Sequence, residues 1–325
     1  GQSIRFDTSG PRYFPSITLT DAQNRESKVI FPNLAARNGV VHLVDRVILP
    51  QTSNIVELAV ANPQFSILVE AVLAAGLAET LSSPGPFTVF APTNDAFAAL
   101  LGELGVSKDA LLANKPLLTS VLTYHVLGAR VLAGDIKDNS TPSTVQGQAI
   151  RLDTDGGKVV ITDASGRKSN VVATNVQASN GVIHVIDKVI LPQSKNIVEI
   201  AVGLPDFSIL VEAVLAADLA GVLSGPGPFT VFAPTNTAFA NLLGELGVSK
   251  EALLADKALL TAVLTYHVLP ARVLANDIRD NSTPATVQGQ TIRLDTDGGK
   301  VTITDGRNRV SNVVATDVQA SNGVI

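Results

Sequence analysis

The sequence predicts an α+β protein made of tandem copies of one domain, with helices layered on a mainly antiparallel sheet. Three observations carry this. Apolar residues recur at helical spacing in the first half of a unit, they alternate with a period of two in its second half, and the whole pattern then returns. Asn54 to Ile183 reappears as Asn196 to Ile325, a period of 142 residues, with no gap and roughly four-fifths of the residues unchanged. Solenoid units span about 20 to 50 residues, so each copy here is a whole domain.

Within the first complete copy, Phe65, Leu68, Val69, Val72, Leu73 and Leu77 fall at helical spacing behind Pro63, which suits a first helical turn. One long amphipathic helix is expected, broken by Ser83-Pro84-Gly85-Pro86. Phe87 to Ala91 then reads as a short strand buried on both faces and ending at Pro92. Thr93 or Asn94 can cap a second helix carrying Phe97, Leu100, Leu101 and Leu104. Ser107 can cap a third, with Leu111, Leu112, Leu117, Leu118, Val121 and Leu122 on its apolar side. From Ala129 the period changes. Ile150 to Asp153 and Lys158 to Thr162 flank a Thr-Asp-Gly-Gly turn, and Val171 to Val176 and Val182 to Leu191 complete four strands.

The copies set the domain limits. Gly39 to Pro50 matches Gly181 to Pro192, so residues 1–50 read as the closing part of a copy, 51–192 as a complete domain, and 193–325 as a domain without its last strand. Such an outline fits a segment of a longer array. It also fits subunits that complete one another, in which case Val40, Val41, His42, Leu43, Val44 and Val47 would form an assembly strand added to a neighbour's sheet edge. Leu191 to Lys195 links consecutive copies without a flexible Gly/Ser tract, which predicts a defined orientation.

Composition narrows the function. Hydrophobic residues make up 46% of the chain, enough for a substantial core in each unit. Charged residues make up 16%, below the roughly 25% of ordinary soluble domains, which eases packing against like neighbours. The net charge of -5 has no basic cluster, so nucleic acid is not an expected partner. With no cysteine there is neither a disulfide framework nor a thiolate metal site. Phe65 to Leu81, the most apolar long run, is interrupted by Glu70 and Glu79 and is too short to span a bilayer.

Three ordered motifs carry a family resemblance. Gly85 to Phe97 (GPFTVFAPTNDAF), Tyr124-His125 within LTYHVL, and Asn180 to Pro192 (NGVIHVIDKVILP) resemble the signature blocks and central Tyr-His motif of the fasciclin (FAS1) domain family. They recur at Gly227 to Phe239, Tyr266-His267 and Asn322 to Ile325. The resemblance implies a wedge of β-strands with packed helices, secretion or surface display, adhesion and matrix building, and no catalysis. It also implies that Tyr124, His125, Tyr266 and His267 inherit an adhesion motif used by some animal relatives.

No pattern points to chemistry. His125 follows buried-helix leucines and reads as a hydrogen-bonded fastener between helix and sheet, and His42 and His184 have no second ligand at metal spacing. Asp153-Thr154-Asp155-Gly156 resembles a calcium loop, but Ala164 and Gly306 stand where the bidentate acid is needed, so a hairpin turn is favoured and no cofactor is expected. Asn139 and Asn281 open glycosylation sequons, each followed by a proline that hinders modification. The leading expectation is an extracellular structural protein whose partner is itself, a fibre or matrix filament built by domain contacts. The alternatives are a surface adhesin using the Tyr-His face on a receptor or glycan, and a small-ligand binder with a concave apolar pocket.

Overall fold

A computed structural model describes residues 2–10 and 16–325. The chain forms two compact units, Gly1–Thr162 with Arg167–Ile190, and Asp163–Gly166 with Leu191–Ile325. The closing half-copy at the start of the chain therefore belongs to the first unit.

That half-copy is a four-stranded antiparallel sheet in sequence order: β1 (Arg5–Ser9), β2 (Ser16–Thr20), β3 (Glu26–Ala36) and β4 (Gly39–Val44). The strand proposed for assembly is thus β4, hairpin-paired to β3 and lying at the edge of its sheet. Its side chains face solvent: Val40 is 57% exposed, whereas Val182, its counterpart one period later, is fully buried.

The complete copy opens with α1 (Ile55–Val60), started by a capping box in which Asn54 and Glu57 satisfy each other's main-chain amides. The single long helix expected next is two helices, α2 (Ser66–Ala75) and α3 (Ala78–Ser82). Gly76 causes the break, taking φ 73 and closing α2 in the left-handed conformation that ends helices and that only glycine adopts without strain. Leu73 lies on the face of α2 away from Leu68, Ala71, Val72 and Ala75 and is 61% exposed instead of joining the core. The strand β5 (Phe87–Pro92) is buried on both faces as expected. After α4 (Asn94–Leu104), capped by Thr93, the expected third helix is also divided, into α5 (Lys108–Ala113) and α6 (Lys115–Tyr124). Asn114 ends the first and caps the second.

The sheet follows with β6 (Val126–Leu127), β7 (Arg151–Asp155), β8 (Lys158–Thr162), β9 (Lys168–Ala178) and β10 (Gly181–Ile186). Its order is β6-β5-β10-β9-β8-β7, antiparallel except for the central β5–β10 pair. The chain beyond Ile186 leaves the ladder sooner than the sequence suggests, yet Val189 and Ile190 remain buried. Phe90, Phe97, Leu118, Ile150, Leu152, Ile161 and Ile186 are among the fully buried side chains of the interior.

The second complete front half repeats these helices as α7 (Ile197–Val202), α8 (Ser208–Ala216), α9 (Ala220–Leu223), α10 (Asn236–Leu246), α11 (Lys250–Ala255) and α12 (Lys257–Tyr266). Its sheet is divided. β11 (Phe229–Val231) and β12 (Val268–Leu269) join β16 (Gln319–Ala320) and β17 (Gly323–Val324), while β13 (Arg293–Asp297), β14 (Lys300–Thr304) and β15 (Val310–Asn312) stand as a separate three-stranded sheet. In the first unit the long β9–β10 pairing joins these two groups; in the second, β16 and β17 pair over two residues each.

Candidate functional site

The sequence motifs converge on the seam where β5 meets β10. Gly85 and Gly181 stand there because a Cβ on Gly85 would collide with the Asn180 carbonyl, and one on Gly181 with the Phe87 carbonyl. Between them Asn180, the first residue of the closing motif, is a fastener. Its Oδ1 accepts from the Ile55 amide at 3.0 Å, and its Nδ2 donates to the carbonyls of Leu81 at 2.8 Å and Ser83 at 2.9 Å. Its own carbonyl accepts from Phe87 N at 3.1 Å. One side chain thus ties α1 and the end of α3 to the start of β10. Asn322 makes the same three side-chain bonds to Ile197, Leu223 and Gly225. Only the recurrence of the Asn-Gly pair, at Asn38, Asn180 and Asn322, could have signalled this.

Tyr124 and His125 lie inside. Tyr124 is fully buried and its hydroxyl donates to the Ala149 carbonyl at 2.8 Å. Ile190 N donates to His125 Nε2 at 3.2 Å, so the ring proton sits on Nδ1 and bonds the Val121 carbonyl at 2.7 Å. Burial pushes the His125 pKa down to about 4 against the opposing pull of that carbonyl, which leaves a neutral imidazole clamping α6 to the segment after β10. In this domain both side chains named for adhesion, Tyr124 and His125, are buried, with the hydroxyl and the imidazole bonded to main chain. Tyr266 and His267 are half-buried; Tyr266 donates to the Thr291 carbonyl and accepts from Gly306 N, each at 3.0 Å, and His267 Nδ1 lies 2.8 Å from the Val263 carbonyl.

His184 is a second interior fastener. It stacks on Phe90 with ring centroids 5.6 Å apart, and its Nε2 lies 2.9 Å from the Val131 carbonyl. Burial lowers its pKa as well. His42, its counterpart in the half-copy, is exposed and accepts from Asn33 N at 3.2 Å. Asn139 and Asn281 are exposed in left-handed backbone, with amides bonded to the neighbouring Asp138 and Asp280 carboxylates. Among the described residues no three His, Cys, Asp or Glu side chains cluster as metal ligands, and no helix is long and apolar enough to cross a membrane. A purely apolar cavity of about 80 Å³ lies in the second unit, edged by Val202, Leu215, Phe232 and His267. Pockets that enclose a drug-sized ligand run to roughly 300–1,000 Å³, so this one has room for a few atoms only.

The fasciclin domain model matches residues 63–192 and again 205–325. The chain belongs to the fasciclin domain family. Protein sll1483 of Synechocystis is 46% identical over 179 residues, covering 55% of this chain and 88% of that protein. Human periostin is 29% identical over 313 residues, 95% of this chain but only 34% of periostin. This fasciclin chain thus spans about a third of the longer relative. A solved structure of a FAS1 domain pair from the insect cell adhesion molecule fasciclin I aligns with 81% of the chain and 95% of that pair, at 17% identity and a TM-score of 0.38.

Proposed function

We propose that this fasciclin array is an extracellular structural protein that builds a fibre or matrix by contacts between its own domains. One observation carries the reading: large apolar side chains face solvent at matching positions one period apart. Val60 and Val202, Leu73 and Leu215, Leu104 and Leu246, and Leu117 and Leu259 are each at least 42% exposed within their own domain. Scattered surface hydrophobics need no explanation, but a set repeated copy for copy offers the same apolar contact again and again. The low charge of the chain favours such packing further. Adhesion and matrix building are what fasciclin membership implies, and the buried, neutral histidines of the complete domain suggest no catalytic role.

Electron microscopy of the dilute protein tests the reading. Filaments with an axial repeat of one or two domains are expected, and they should be lost when Leu73 and Leu215 are both replaced by Glu while the circular dichroism spectrum is kept. Dispersed single particles from the unaltered protein would end the fibre reading.

A further inference from the structure

The side chain of Gln177 on β9 reaches from its own domain to the half-copy. Its amide pairs with the main chain there: Oε1 accepts from Ser3 N at 2.9 Å and Nε2 donates to Ser3 O at 2.8 Å. This is the two-bond ring that neighbouring strands make, with a side-chain amide in place of a peptide. Arg130 holds the amide in place, donating to Gln177 Oε1 at 2.7 Å and to the Gly181 carbonyl at 2.8 Å.

The reciprocal ring lies next to it. Gln2 Nε2 donates to the Gln51 carbonyl at 2.6 Å, and Gln51 N donates to Gln2 Oε1 at 2.7 Å. The linker is then tied down by Ser179 N, which donates to the Ser53 carbonyl at 2.9 Å. These bonds flank an open cleft of about 710 Å³ bordered by Ile4, Ala22, Leu49, Pro84 and Pro86. Beside this cleft the two parts are joined by directional amide bonds.

We infer that Arg130 and Gln177 form a docking surface for the extended main-chain segment that starts the sheet of the preceding repeat, and that this clamp sets the angle between the two. Because it reads main chain, it is indifferent to the residue it binds: Ser3 corresponds to Ala149 and Thr291 in the later copies, while the preceding glutamine is kept as Gln2, Gln148 and Gln290. Ala35 occupies in β3 the position that Gln177 has in β9, so the strand forms without the glutamine. The clamp acts within one chain and does not depend on filament formation.

The absence of cysteine makes the test direct. Nitroxides on Arg37→Cys and Ala98→Cys, both at exposed positions, report the spread of distances between half-copy and domain by pulsed electron resonance. One narrow distribution is expected for the full chain, and a distribution about twofold broader for Gln177→Ala, since weakly joined domains move by default. Ser3→Pro, which removes the donated N–H from the other side, should broaden it likewise and carries the test if Gln177→Ala fails to fold. Ser3→Ala should keep the narrow form. Unaltered widths in both Gln177→Ala and Ser3→Pro would overturn the inference.

Discussion

His125 makes acid a lever on this fold. Its pKa in the folded domain is about 4, below the ordinary 6.5, so between those values the unfolded chain takes up a proton that the folded chain refuses. Stability from this residue is therefore complete above about pH 6.5 and is lost as pH falls toward 4, by about 3 kcal/mol. His184 is depressed in the same direction and adds to the loss. We expect the His125 ring signals in an NMR titration to keep their neutral shifts down to about pH 5; a midpoint near 6.5 would contradict the clamp. Asn180 gives a second expectation at this scale. Asn180→Ala removes three hydrogen bonds and strands their partners, and should cost about 2–3 kcal/mol by urea unfolding. Asn38→Ala, at the exposed Asn-Gly pair of the half-copy, should stay within about 0.5 kcal/mol. Equal losses at the two sites would refute the fastening role.

The elements show where periodicity suffices and where it does not. Helical spacing found the stripes from Phe65 to Leu122 but missed the six-residue α1, too short for a period to show, and overran two breaks, at Gly76 and at Asn114, because a short kink barely disturbs an i, i+3, i+4 pattern. Leu118 is buried while Leu73 is not, so Leu118→Ala should cost about 2–5 kcal/mol and Leu73→Ala less than about 0.5. Comparable losses from the two would mean that Leu73 is core after all.

At the scale of the whole molecule, repetition was the clearest signal in the sequence. The 142-residue period, the α+β order of elements, the two complete front halves and the absence of disulfides are all properties of residue type and spacing, which no neighbour can alter. The candidate site was legible only in outline. Tyr124, His125 and Asn180 could be named from the motifs, but hydrogen bonds reaching 25, 65 and 125 residues along the chain decide what they do, and no local pattern encodes such partners. Burial was least legible of all. Leu73 shares the helical stripe of Leu68 and Val72, yet Leu73 faces solvent while Leu68 and Val72 are core. The sequence by itself determined where a unit is mainly helical, where it is mainly extended and how often the unit recurs, since backbone preference and apolar spacing act over a few residues. Tertiary structure alone decided which of those surfaces are interior, which side chains lock one element to another and where one repeat grips the next, since each depends on what the folded chain brings alongside.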